Sequence, residues 1–391
     1  MLNELPILLD AGLVLLGVFV LGYMALKTKF PNVILYILFG IAIGRLFTDN
    51  VILYLASEVA IVLLFFILGL EFNTKRLGNI AKKIWSAGLL DVFLSLGVSM
   101  VIVLAFGADW YTAFLIGGIA FATSSTITAK LLNDKGRMAN AETEFMLGVL
   151  IFEDLVAPII VAVLIALSSG AEFTGFDFII LMGKILGLAL LAIILGKTAF
   201  KRFEEFLMKI DDEDIKIGLL VGIATTFGGL ALFIGLSEVL GAFLAGVMLA
   251  EIGKVERIQS VVLPVQDLLL PTFVIYFGTT IHLGDGIPMP VLLAVLIIWS
   301  MLAKILVGMI GGKWYGLSKR VSLRAGLSIC ARGEFSVVIA SIAVASLKVF
   351  AGVYVVISAF IGMMLFNYAP KIVIKIYGQP EKKKKSLKVP T

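Results

Sequence analysis

Cysteine and histidine are nearly absent from this chain, which holds one of each, Cys330 and His282. A single cysteine excludes a disulfide within the chain and says nothing of the redox compartment. So thin a supply also excludes a metal centre built from clustered thiolate and imidazole ligands. Charge is scarce: 15% of the residues are Asp, Glu, Lys or Arg, against 60% that are hydrophobic. The mean hydropathy of +1.09 lies beyond what a soluble domain of this length carries, so the chain reads as an all-α polytopic membrane protein. The net charge of +5 resides mostly in loops, where it sets orientation rather than nucleic-acid binding. No cofactor is expected.

Thirteen apolar segments are predicted, at 5–26, 31–48, 51–71, 84–106, 110–132, 143–168, 177–199, 214–235, 237–252, 263–283, 289–311, 321–347 and 350–375. The first is too long for a signal-peptide core and lacks a basic start, so it is expected to be a retained spanning helix. One set of alternate loops holds Lys27, Lys29, Lys75, Arg76, Lys82, Lys83, Lys135, Arg137, Lys201, Arg202, Lys254, Arg257, Lys319 and Arg320. The other set holds little beyond Arg45 and Lys348. The asymmetry predicts an N-terminus outside and a C-terminus in the cytoplasm. Between the seventh and eighth segments, Phe203, Phe206, Leu207 and Ile210 recur at helical spacing opposite a charged face, the pattern of an interfacial helix. The basic stretch 376–391 is expected to be a disordered cytoplasmic tail.

The sixth segment carries two adjacent carboxylates, Glu153 and Asp154, in the middle of an apolar run. A charge at that depth costs roughly 2.5–3.5 kcal/mol on insertion scales and marks an ion or proton site by default. Pro158 lacks the N–H that would bond the Asp154 carbonyl, leaving carboxylate and carbonyl oxygens together for a hard cation. Neighbouring helical residues point about 100° apart, so both carboxylates cannot face one small site squarely. Glu153 is therefore also read as the counter-charge of Arg332, in a buried pair between the sixth and twelfth segments.

The two halves resemble each other. Gly40 in the second segment matches Gly246 in the ninth, and Gly69 in the third matches Gly278 in the tenth, at offsets of 206 and 209 residues. Repeats seven helices apart enter the membrane from opposite faces, the inverted-repeat plan that places a substrate site near the midplane. The same offset pairs the fifth segment with the twelfth, and both look interrupted. The fifth holds the hydroxyl run Thr123-Ser124-Ser125-Thr126, the twelfth Arg332-Gly333-Glu334. Unwound backbone at membrane depth is tolerated where it is buried or lines a cavity. Two crossed broken helices would set their half-helix ends beside Asp154, with Arg332 and Glu334 supplying compensating charge.

On Ala122-Thr123-Ser124-Ser125, Phe152-Glu153-Asp154 and Arg332-Gly333-Glu334-Phe335, in that order and spacing, the chain resembles the monovalent cation:proton antiporter superfamily. The nearest branch is that of the Kef-type potassium efflux antiporters and prokaryotic Na⁺/H⁺ antiporters. The resemblance covers residues 5–375 and implies the antiporter fold, with two inverted six-helix repeats and crossed discontinuous helices. It implies scaffold helices at 5–71 and 214–283, transport-core helices at 84–168 and 289–375, and a linker at 177–213. It implies a homodimer that exchanges Na⁺ or Li⁺ for protons by alternating access, without enzymatic chemistry, with K⁺/H⁺ exchange as the alternative. The implied ion-binding residues are Asp154 and Glu153, lined by Thr123 and Ser124. Glu153 departs from the Asp, Asn or Gln found before the family's ion-binding aspartate. The tenth segment lacks the lysine that some electrogenic relatives pair with that position, which predicts electroneutral exchange. Lys304, in the eleventh, is expected to pair with a carboxylate or cap a half-helix, and Asp91 to bond locally or lie on the ion's route. The expected partners are Na⁺, K⁺ or Li⁺, protons, membrane lipid and a second copy of the chain, with no nucleic acid. A sodium-coupled solute symporter shares the repeat plan but needs more polar core residues. A potassium channel needs a carbonyl filter motif that is absent here. An intramembrane aspartyl protease needs two catalytic aspartates on separate helices, one in a Gly-x-Gly-Asp context, and the nearest text, Leu283-Gly284-Asp285-Gly286, falls in an outside loop.

Overall fold

Among the described residues of the computed structural model all regular structure is helical. These are residues 7–28, 30–47, 51–71, 74–168, 212–250 and 255–379, with isolated positions between 180 and 210. The first three helices are α1 (Ile7–Thr28), α2 (Asn32–Phe47) and α3 (Val51–Leu70). Next, α4 (Thr74–Asp91) runs through a π-helical segment, Val92–Gly97, into α5 (Val98–Ala105). Then come α6 (Trp110–Phe121), α7 (Ser125–Asp134) and α8 (Ala141–Ser168). The second half holds α9 (Glu213–Phe233), α10 (Glu238–Ala250) and α11 (Val255–Thr279). In it α12 (Pro290–Leu306) continues through a second π-helical segment, Val307–Gly311, into α13 (Gly312–Tyr315). The chain then forms α14 (Lys319–Ser328), α15 (Glu334–Ser341) and α16 (Ala345–Tyr377). Nine of the described helical spans are long and apolar enough to cross a membrane, with α2 and α10 as shorter apolar helices. The segment expected at 177–199 and the interfacial helix after it lie largely outside the described residues, as does the tail from 380 onward.

Two boundaries differ most from the hydropathy reading. The helix expected from residue 84 begins at Thr74, and the one expected from 263 begins at Val255. In both, charged first turns (Lys75 and Arg76; Glu256 and Arg257) extend a helix beyond its apolar run. Helical hydrogen bonding does not require the hydrophobicity that marks a span.

The fifth and twelfth segments are broken where the sequence predicts. Asp109 starts α6, accepting from the Thr112 N–H and hydroxyl at 3.0 and 2.6 Å. Those bonds, the hydroxyl's first, hold its carboxyl below the usual range. At Ala122 the chain becomes extended, and Ser124 caps α7 by accepting from the Ile127 N–H at 3.1 Å. In the other repeat α14 ends at Ser328 and α15 starts at Glu334. The two breaks bond to each other. The Ser124 N–H donates to the Ala331 carbonyl at 2.8 Å, and the Ser336 hydroxyl to the carbonyls of Ile119 and Ala122, both at 2.9 Å. Gly333 sits so close that a Cβ there would meet the Ser124 side chain.

The glycines that matched in sequence cross over in space. Gly40 on α2 lies against Gly278 on α11, and Gly69 on α3 against Gly246 on α10. Exchanging the halves turns one contact into the other, which is the signature of the inverted repeat. α2 and α3 thus pack on α10 and α11 at backbone distance. A Cβ on Gly69 would strike the Phe243 carbonyl, and one on Gly246 the Phe66 carbonyl, so neither helix can yield by moving a side chain. Gly69→Ala and Gly246→Ala are each expected to lower thermal stability in detergent by about 1–3 kcal/mol. Gly12→Ala, at a position with open space, is expected to be neutral or slightly stabilising. Equal melting temperatures for all three would show that the helices separate freely.

Candidate ion-binding site

Glu153 and Asp154 lie mid-way along α8, beside the crossing of the two breaks, and their surroundings differ. Asp154 is 6% exposed. It makes no hydrogen bond and no ion pair among the described residues. The charges that bear on it are themselves carboxylates: Glu153, Glu71 at the end of α3, and Glu334. Pro158 stands inside α8 one turn later, so no proline N–H occupies the Asp154 carbonyl. An anionic side chain buried without a donor is costly unless a cation or a proton neutralises it.

Glu153, by contrast, has a partner on each oxygen. Its Oε2 accepts from the Thr123 N–H at 2.7 Å, and its Oε1 from Lys304 Nζ at 3.0 Å. Thr123 N–H belongs to the extended break after α6, so Glu153 satisfies a donor that the broken helix leaves over. Glu334 does the same at the other half-helix. It accepts from the Ser124 hydroxyl at 2.9 Å and the Thr126 hydroxyl at 2.6 Å, tying α15 to α7. The arrangement is one carboxylate without a hydrogen bond among the described residues, beside two carboxylates that are bonded on both oxygens. It can hold a monovalent cation or a proton, and no nucleophile or catalytic base is required of it.

The family model for the transmembrane region of sodium/hydrogen exchangers matches residues 14–371. The chain belongs to this family. It is a transporter and not an enzyme. Its relatives include the ammonium/H⁺ antiporter subunit AmhT of Alkalihalophilus pseudofirmus, 51% identical over 378 residues, which are 97% of each chain. The K⁺/H⁺ antiporter subunit KhtU of Bacillus subtilis is 27% identical over 385 residues, 93% of each chain. The fold is that of the sodium proton antiporter MjNhaP1 from Methanocaldococcus jannaschii, with a TM-score of 0.71 at 17% identity, covering 95% of this chain and 99% of that one.

In this exchanger the sequence-predicted residues converge, though not all in the expected pairs. Thr123 and Ser124 reach the frame carboxylates Glu153 and Glu334 rather than Asp154. The expected Glu153–Arg332 pair does not form. Arg332, fully buried in the second break, donates to the carbonyl of Cys330 at 3.2 Å and towards that of Ser300 at 3.5 Å. The first is a peptide carbonyl of the unwound stretch after α14, the second a carbonyl of α12. Lys304, on α12, takes the place foreseen for the arginine and supplies the lysine partner that the tenth segment lacks, so the absence of that lysine no longer argues for electroneutral exchange. The same ammonium donates to both oxygens of Asp91, at 2.9 and 2.7 Å. It also lies 5.3 Å from the Phe121 ring centroid. Asp91, Lys304 and Glu153 form one buried chain of charge across α4, α12 and α8.

Sequence reading missed the join of Asp91 to Lys304. The available signal was an acid and a base, each alone in a long apolar segment, in the two elements that the repeat offset places opposite one another. It also missed a second network at one end of the bundle. There Glu142 at the start of α8 accepts from Arg137 at 3.0 Å and from Arg324 on α14 at 2.6 Å, while Arg137 stacks on Phe366. Glu142 reads in sequence as an ordinary helix-start acid.

Proposed function

We propose that this chain exchanges ammonium or K⁺ for protons, with Asp154 as the single seat for which cation and proton compete. The observation that carries the reading is the buried Asp154, which takes no hydrogen bond among the described residues, beside two broken helices whose carboxylates Glu153 and Glu334 are both hydrogen-bonded. Deprotonated Asp154 binds the cation, and protonation releases it. A carboxylate left charged and empty is too costly to carry across, so only the two neutralised forms move between the faces. Alternating access then follows from one helix group rocking against the other. The choice of ammonium and K⁺ over Na⁺ and Li⁺ rests on the relatives whose names state those cargoes, one of them identical at half of its positions over nearly the whole chain. The same names call those proteins subunits, which supports a complex with a second protein beside the homodimer. The loop charges support a cytoplasmic C-terminus.

The test is proteoliposomes containing a pH-sensitive dye, with ammonium, K⁺, Na⁺ or Li⁺ added outside an imposed pH gradient. Protein-free liposomes correct for the passive permeation of ammonia. Ammonium and K⁺ are expected to relieve quenching at concentrations about tenfold below those needed for Na⁺ or Li⁺, a preference worth about 1.4 kcal/mol. Equal half-effects for all four cations would remove the assigned cargo while leaving antiport intact.

A further inference from the structure

The triad of Asp91, Lys304 and Glu153 touches the ion seat only through Glu153, and antiport at Asp154 does not require it. Its cost is evident: three charges are fully or almost fully buried on three different helices. Its geometry is uneven. Lys304 holds Asp91 with two bonds of 2.7 and 2.9 Å and Glu153 with one of 3.0 Å. The Ser95 hydroxyl adds a third bond to Asp91, at 2.6 Å. Ser95 lies in the π-helical segment that follows Asp91 directly, and the second π-helical segment starts three residues after Lys304. Such segments are costly irregularities that recur at functional sites.

We infer that Asp91 is a positioning residue that locks Lys304 as a fixed positive charge, so that each cycle exchanges one cation for one proton and moves no net charge. The inference rests on the antiport reading above. Both Glu153 oxygens accept from donors, and so do both Asp91 oxygens, which is the pattern of two carboxylates around one ammonium. If Lys304 gave up a proton, Asp91 would be left buried and charged with only a serine hydroxyl for company, the situation that is most expensive inside a protein. With only Glu153 as partner, the lysine would depend on one counter-charge that it shares with the Thr123 N–H. Asp91 removes that dependence. The step then balances on Asp154 alone: its carboxylic acid releases one proton, the carboxylate takes one monovalent cation, and the triad keeps its protons and its net charge throughout.

The experiment records proton movement with the dye and charge movement on a solid-supported membrane from the same proteoliposomes after a K⁺ jump. The wild-type chain is expected to move protons with no sustained current above protein-free liposomes. Asp91→Asn is expected to keep K⁺-dependent proton movement and to acquire a sustained current approaching one charge per cation, while Asp91→Glu stays silent. A sustained wild-type current, or an Asp91→Asn chain that still exchanges without current, overturns the inference and leaves antiport standing. Absence of any K⁺-dependent or ammonium-dependent proton movement in the wild-type chain would instead strike the antiport reading. Should Asp91→Asn fail to fold, Lys304→Arg decides, because a guanidinium cannot give up a proton. Exchange that persists without current in that variant supports a fixed charge, and a folded variant with no exchange overturns it.

Discussion

Asp154→Asn is expected to reduce cation-dependent proton movement to the level of protein-free liposomes while leaving the protein as stable as the parent or more so. Both halves of the result come from one feature. The carboxylate takes no hydrogen bond among the described residues, and the charges that bear on it, Glu153, Glu71 and Glu334, are of its own sign, so it contributes repulsion rather than cohesion to the fold. An amide has almost the same shape and carries no charge to desolvate. It can neither bind a cation electrostatically nor carry the exchanged proton. A residue of purely structural importance gives the opposite pattern, loss of activity through loss of stability. Ligand-induced stabilisation separates the cases further. Ammonium or K⁺ at a hundredfold excess over Kd stabilises a protein that binds it by about 2.7 kcal/mol, and that shift is expected to vanish in Asp154→Asn. Near-normal dye response in Asp154→Asn, or an undiminished cation-induced rise in melting temperature, would remove Asp154 from the site.

Much of this architecture is legible in the sequence, because membrane burial writes in a simple code. Long apolar runs mark the helices, and hydroxyls at Thr123–Thr126 and charges around Gly333 mark the two breaks, since neither stretch suits an uninterrupted apolar helix. The matched glycines mark the repeat, because Gly40, Gly69, Gly246 and Gly278 all sit where backbones touch. The place of Asp154 in the middle of a membrane helix is legible for the same reason, since a carboxylate amid so much hydrocarbon stands out in the sequence. The pairing of the remaining charges is not. Arg332 and Lys304 are both buried cations within reach of the crossing, and which of them meets Glu153 depends on how α12 is rotated about its axis. A helix turns about 100° per residue, and each π-helical segment adds a residue to a turn, so the facing of α4 relative to α5 and of α12 relative to α13 cannot be counted from residue spacing alone. Arg332 also lies in the non-helical stretch between α14 and α15, where helical spacing no longer sets side-chain direction, and its acceptors are the main-chain carbonyls of Cys330 and Ser300.

The largest stability effect is expected at Lys304. Lys304→Met keeps the length of the side chain and removes the charge, leaving Asp91 and Glu153 buried without their common partner. Stranding a buried charge in this way costs about 3–5 kcal/mol. Asp91→Asn leaves Lys304 with Glu153 alone and is expected to cost somewhat less, because one ion pair survives. The double variant removes one charge of each sign and should recover a large part of the single losses, giving a coupling energy of about 2–3 kcal/mol in a cycle of melting measurements in detergent. Glu153→Gln is a milder change. Lys304 retains Asp91, and the amide oxygen can still accept from the Thr123 N–H, so the break after α6 keeps its partner. Arg332→Gln in combination with Glu153→Gln is expected to be additive, since the two side chains share no bond. The cycle therefore ranks the pairs: strong coupling between positions 91 and 304, weaker coupling between 153 and 304, and none between 153 and 332. Strong coupling between 153 and 332 with none between 91 and 304 would mean that the charges pair differently in the membrane, and the fixed-charge role of Lys304 would fall with it.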